Sequence, residues 1–126
     1  MLQVLSEHSI DWPANGPWEI ETPPLSVRVE IAPAVARRRA NGYLGLHVAM
    51  SLLANNPRLH ISHGPHWRFD IDLHLPQLGK VATLGVIDVD ATTGEVIPLP
   101  ANLITDLQDR ADVIAARLTP EAAPAL

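Results

Sequence analysis

Side chains that could bind a metal ion are concentrated in one short part of the sequence. They are His60, His63, His66, Asp70, Asp72 and His74. Imidazole and carboxylate groups together suit zinc or another borderline metal, which makes a metal-dependent hydrolase one hypothesis for this chain. On an extended strand, Asp70 would lie about 13 Å from His66 and about 13 Å from His74, because each residue advances the chain by about 3.3 Å. A single ion would therefore need ligands from other strands or from a second subunit.

Two pairs of aspartates suggest a second kind of chemistry. Asp70 and Asp72 alternate with apolar residues, and so do Asp88 and Asp90. If the two stretches pair as strands, four carboxylates would meet, and acid–base catalysis requires such groups with one raised pKa. The alternative for Asp70 and Asp72 is a cross-strand ion pair, with Arg68 or with one of the arginines at 37–39. We assign no catalytic residue from the sequence and leave enzymatic activity open.

The composition excludes several classes of protein. The chain has 126 residues, a formal net charge of −5 and no cysteine. Disulfide bonds, thiol catalysis and cysteine zinc sites are therefore excluded. Nucleic-acid binders usually carry a basic surface, so the acidic balance predicts no nucleic-acid partner. The sequence contains no phosphate-loop, dinucleotide, nucleophile-elbow or His-Glu-x-x-His motif, and we predict no cofactor.

Candidate partner-binding residues lie near the N-terminus and among the arginines. Residues 1–24 contain Trp12 and Trp18 among four prolines, and proline favours an extended chain outside a central strand. We predict an extended N-terminal arm here, whose tryptophans either pack on the domain's own surface or grip a partner. Four arginines could contact a partner or simply face solvent: Arg37, Arg38, Arg39 and Arg68.

Targeting signals are not evident in the sequence. The first residues lack the basic and apolar regions of a secretion signal. The longest nearly apolar run, residues 43–54, is shorter than the about 20 residues needed to cross a bilayer. We therefore expect a cytoplasmic protein without a membrane partner.

Alternating apolar and polar residues predict the strands. Five successive alternations over residues 66–75 leave little room for a helix. A turn follows, and the next alternating stretch changes phase near Gly85, which predicts a β-bulge there. The predicted strands lie at residues 25–31, 59–62, 66–75, 81–90 and 95–97, and the last three form an antiparallel meander.

Two helices are predicted, at residues 34–55 and 102–118. The apolar run at 43–54 predicts burial on most sides of the first helix. Gly42, Gly45 and Ala49 share one face, which predicts a close approach of that face to a sheet or another helix. The second helix carries an amphipathic stripe.

These elements predict an α+β fold, with an antiparallel sheet of four to five strands. The long first helix packs on one face of the sheet, and the C-terminal helix covers an edge or the same face. We predict one domain over residues 25–118 and a flexible tail over 119–126. The nearly apolar helix, the low charge and the tryptophan arm favour a homodimer.

The segment from Trp67 to Ile97, which includes Val-Asp-Ala-Thr-Thr-Gly-Glu-Val at 89–96, resembles the hairpin of PepSY-type domains. The similarity covers about 30 of the 126 residues. With Ala40-Asn41 in a predicted helix and a later Gly-x-x-x-x-Asp-x-x-Thr-Gly-Glu at 85–95, the chain also resembles small uncharacterised bacterial proteins of cyanobacteria and related phyla. PepSY-type domains are typically exported or membrane-attached and serve as inhibitory or binding modules. The leading hypothesis is a non-catalytic binding or regulatory module that acts through protein–protein contacts.

Overall fold

A computed structural model describes residues 7–8, 18–22 and 25–118, with side chains from residue 28 to residue 118. The predicted tail at 119–126 and Trp12 lie outside the described residues. In chain order the elements are β1 (Glu7–His8), β2 (Trp18–Thr22), β3 (Leu25–Val29), α1 (Pro33–His47), β4 (Leu52–His60), β5 (His66–Leu75), β6 (Gly79–Asp90) and α2 (Ala101–Leu118).

Three long strands form an antiparallel sheet in the order β4, β5, β6. The predicted α+β class is confirmed, and so is the pairing of the 66–75 strand with the stretch that follows it. Alternate residues of β5 are buried against the helices: Trp67, Phe69, Ile71, Leu73 and Leu75. The strict alternation of β5 therefore reflects a sheet with one apolar and one polar face.

The predicted sheet of four to five strands is not confirmed. The two-residue strand β1 pairs with Leu59 and His60 at the β4 edge, and β2 and β3 form a separate two-stranded sheet. The predicted strand at 95–97 contributes only an isolated bridge between Val89 and Val96. Pro98 follows directly, and a proline cannot donate the next ladder hydrogen bond.

The predicted helix at 34–55 is wrong in its second half. Helix α1 ends at His47, and β4 begins at Leu52. Two α1 side chains one turn apart hold this strand, since Asn41 Oδ1 accepts from Ala54 N at 2.7 Å and Arg37 Nε donates to Ala54 O at 2.9 Å. They satisfy backbone groups that an edge strand would otherwise leave unpaired.

The predicted packing of the glycine face of α1 is also wrong. The residues of α1 that enter the core are Ala36, Ala40 and Leu44, one turn apart. A Cβ added to Gly42 would meet nothing within 4 Å. Leu46 is 79% exposed and Met50 is 84% exposed, so this end of the apolar run is not buried on most sides.

Helix α2 closes the apolar face of the sheet. Leu107 and Ala111 are buried, and Leu107 Cδ2 lies 3.8 Å from the position that a Cβ on Gly85 would take. Gln108 Nε2 donates to Val48 O at 3.0 Å, and Arg110 Nη1 donates to Leu84 O at 2.9 Å. The second bond occupies a backbone carbonyl of β6 that would otherwise be open at the edge of the sheet, which opposes pairing of β6 with a strand of another molecule.

We expect Gly42→Ala to raise the free energy of unfolding by about 0.5–1 kcal/mol, because glycine costs a helix that much relative to alanine. Urea unfolding measured by circular dichroism checks this. Gly94→Ala is the matched control: Gly94 has φ of 81° and its added Cβ would lie 3.4 Å from Ile31 Cδ1. That variant should be destabilised, and a destabilised Gly42→Ala would contradict the exposed position of Gly42.

Candidate functional site

The face of the sheet that points away from the helices carries most of the candidate residues. We call it the polar sheet face. Its residues follow from the strand register: Leu53, Asn55, Arg58 and His60 on β4; His66, Arg68, Asp70, Asp72 and His74 on β5; Lys80, Thr83, Val86, Asp88 and Asp90 on β6. In the described part of the chain, neither helix packs on this face.

Ion pairs connect the three strands of the polar sheet face. Arg68 makes a bidentate contact with Asp88, with Nε and Nη2 at 2.8 and 2.9 Å from the two carboxylate oxygens. Arg58 Nη1 lies 3.0 Å from Asp70 Oδ1, and Asn56 Nδ2 donates to the other oxygen of Asp70 at 3.1 Å. The prediction of a cross-strand ion pair is therefore confirmed for Asp70, but its partner is Arg58. Arg68 as the partner of Asp70 or Asp72 is wrong, because the register places Asp88 opposite Arg68.

Asp72 is the only buried charged residue among those described, with 2% of its surface exposed. Thr83 Oγ1 donates to Oδ1 of Asp72 at 2.7 Å, and Asn55 Nδ2 donates to Oδ2 at 3.0 Å. Lys80 Nζ lies 3.7 Å from Oδ2. Asn55 Nδ2 also lies 3.5 Å from His74 Nε2, so this network reaches the far end of β5.

The environment of Asp72 keeps its carboxylate ionised. Burial is the largest single influence and would raise the pKa of Asp72. The hydrogen bonds from Thr83 and Asn55, together with the charges of Lys80 and His74, outweigh burial and leave the pKa below its usual value. A general acid requires a raised pKa, so Asp72 is suited to anchor neighbouring groups rather than to donate a proton.

The six predicted metal ligands are not brought together. His60 and His66 are opposite each other on β4 and β5, whereas His63 lies in the connecting loop with Nδ1 3.1 Å from Ser62 Oγ. His74 lies at the far end of β5. Asp70 and Asp72 are engaged in the networks described above. Among the described residues, no three histidine, aspartate or glutamate side chains form a group that could hold a metal ion.

The predicted partner-binding arginines have different surroundings. Arg37 Nη2 donates to Asn55 Oδ1 at 2.9 Å, in addition to its bond with the backbone of β4. Arg39 Nη1 lies 3.5 Å from Gly94 O, and Arg38 is exposed to solvent. Trp18 lies in β2, and its backbone register places it opposite Val29.

Three residues that contact Asp70 or Asp72 on the polar sheet face were not predicted from the sequence: Asn55, Arg58 and Thr83. Asn55 lies in Asn55-Asn56-Pro57, which resembles a helix stop signal. In the structure it belongs to a bulge of β4, where the register shifts between Asn55 and Arg58 and Asn56 has φ of 59°. The one feature of the sequence that indicated this bulge is Asn56 itself, because asparagine tolerates a positive φ.

The turn after β6 is fixed by the side chain of Asp90 and by the backbone conformation of Gly94. Asp90 Oδ1 accepts from the N–H groups of Thr92 and Thr93 at 2.7 and 3.0 Å, and Gly94 has φ of 81°.

The chain matches no protein-family model, curated protein or solved structure. The resemblance of this hairpin to PepSY-type domains therefore stays a prediction. In the described residues, no helix combines the length and the apolar character that crossing a membrane requires.

Proposed function

We propose that this chain is a non-catalytic binding module that contacts a protein partner through the polar sheet face. The observation that carries the proposal is the network of fixed charges on a face against which no described helix packs. Bidentate and buried hydrogen-bonded side chains lose little further freedom on binding, and such preorganisation favours association. The lowered pKa of Asp72 does not suit a general acid.

The charges of this face define the kind of partner that fits. Arginine and aspartate already neutralise each other in two cross-strand pairs, Arg58 with Asp70 and Arg68 with Asp88. A strongly basic or strongly acidic partner would gain little from such a balanced surface. A protein with an interspersed pattern of both charges would gain specificity, because misplaced like charges are costly.

Val86 is the apolar centre of the proposed contact surface. Its side chain is 40% exposed, and the register places it opposite Asp70 in the middle of the face. Protein interfaces commonly combine an apolar centre with a polar rim, and residues at the centre contribute most to affinity. Val86 surrounded by the two ion pairs has this arrangement.

We expect Val86→Glu to weaken partner binding at least about tenfold, because it places a charge at the centre of the contact. Val113→Glu is the matched control, since Val113 is 50% exposed on α2, away from the sheet face. Immobilised wild type and both variants are incubated with an extract of the source cells, and the affinity of each retained protein is measured. A partner that binds all three proteins equally would contradict the proposal.

We also propose that this chain associates with a second copy of itself, through a surface other than the polar sheet face. Leu46 and Met50 provide exposed apolar surface on and beside α1. Of the two roles that the sequence leaves open for Trp12 and Trp18, packing on the domain's own surface or gripping a partner, this proposal uses the second. We expect sedimentation velocity to show a dimer for the wild type and a monomer for the double variant Trp12→Ala/Trp18→Ala. A wild-type monomer at all concentrations would contradict self-association. An unchanged dimer in the double variant would show that Trp12 and Trp18 do not hold the dimer together.

The alternative of a metal-dependent hydrolase is not proposed. No three-ligand group occurs among the described side chains. The candidate residues Asp70 and Asp72 are committed to Arg58, Asn55 and Thr83.

A further inference from the structure

A row of metal-binding residue types crosses the sheet beside the loop that joins β4 to β5. The register aligns Glu7 of β1 with His60 of β4, His60 with His66 of β5, and His66 with Asp90 of β6. Residues opposite each other on neighbouring antiparallel strands share one face of the sheet. Two histidines therefore lie side by side on the polar sheet face, in a row whose two end positions are acidic residues.

The spacing of the two histidines suits one metal ion. Directly opposite residues on antiparallel strands have Cβ atoms about 4.5–5.5 Å apart. An imidazole nitrogen binds zinc at about 2.0–2.1 Å, so two such rings can converge on one ion without a change in the backbone. Both histidines are half-buried and lie at the ends of paired strands, which fixes their backbones relative to each other.

We propose that His60 and His66 bind one divalent transition-metal ion of the zinc, nickel or copper type. Imidazole ligands favour these ions over magnesium or calcium. Asp90 is not proposed as a ligand, because its Oδ1 accepts from the backbone of Thr92 and Thr93. Its negative charge, one strand away, favours a cation beside His66. Water fills the remaining coordination positions, so the proposal concerns binding and not catalysis.

The test uses the full chain without a histidine tag. Isothermal titration with zinc, nickel and copper chlorides should show one saturable site per chain, with copper binding most tightly in accordance with the Irving–Williams order. An excess of zinc should raise the melting temperature by about 2–5 °C, because the ion binds the paired strands and not the unfolded chain. Manganese should produce little shift.

Single variants decide which residues bind the ion. His60→Ala and His66→Ala should each weaken binding at least about tenfold, since one imidazole alone binds poorly. His74→Ala, on the same strand and the same face, and His63→Ala, in the loop, should bind as the wild type does. Circular dichroism verifies that all four variants fold. A wild type without saturable binding, full binding by the His60 or His66 variant, or lost binding in the His63 or His74 variant would overturn the proposal.

Discussion

Replacing Trp67 with alanine should lower the free energy of unfolding by about 3–5 kcal/mol, the usual cost of removing a large aromatic side chain from a core. Trp67 is 1% exposed and belongs to the continuous apolar cluster between the sheet and the helices. Its Nε1 also donates to Ile31 O at 2.7 Å, which ties the chain just before α1 to the centre of the sheet. The variant therefore loses packing in the core and also the hydrogen bond that fixes Ile31 just before α1.

The variant Trp67→Phe separates these two contributions. It keeps most of the buried ring but removes the donor, so it should cost about 1–2 kcal/mol. Urea unfolding of wild type and both variants, followed by circular dichroism, measures the three free energies. A loss below about 1 kcal/mol in Trp67→Ala would contradict the burial of this side chain.

Replacing Asp72 with alanine should lower the free energy of unfolding by about 2–3 kcal/mol, because buried polar groups that lose a partner are costly. Thr83 and Asn55 would each lose the carboxylate oxygen to which they donate. Asp109→Ala is the matched control, since Asp109 is exposed on α2 and its removal should change stability by less than about 0.5 kcal/mol. Equal losses in the two variants would contradict the network around Asp72.

The pH dependence of stability provides a second measure of Asp72. Its pKa is lower in the folded chain than in the unfolded chain, so the ionised carboxylate stabilises the fold above the unfolded pKa of about 3.9. This contribution is lost as the pH falls through the folded pKa. Between about pH 6 and about pH 3, the wild type should therefore lose more stability than Asp72→Asn. Parallel losses would show that Asp72 does not have a lowered pKa.

Local periodicity was sufficient to predict β5, but it was not sufficient for the end of α1. Alternation over residues 66–75 has one interpretation, because only a strand with one buried face produces it. The apolar run around Leu52 fits a helix and a buried strand equally well. The structure resolves this ambiguity through Asn41 and Arg37, which bind the backbone of Ala54 across a long separation in sequence. Such contacts leave no periodic signal.

The candidate site shows the same limit. The polar residues of β5 were predicted to share a face, but their partners depend on the register of β4 and β6. The register shift between Ile71 and Asp72 places Thr83 of β6 opposite Asp72, and the register of β4 places Asn55 opposite Asp70, one position along the same face from Asp72. A displacement of one residue would exchange these partners, and the sequence offered only Gly85 as a sign of a bulge in β6.

Cross-linking through Lys80 tests the proposed binding face most directly. Lys80 is the only lysine of the sequence, and it lies half exposed on the polar sheet face, beside Asp72. An amine-reactive cross-linker applied to the chain in source-cell extract should join Lys80 to the partner in the wild type and in Val113→Glu, but not in Val86→Glu. Partner cross-links that leave Lys80 unmodified, or that persist in Val86→Glu, would contradict binding through this face.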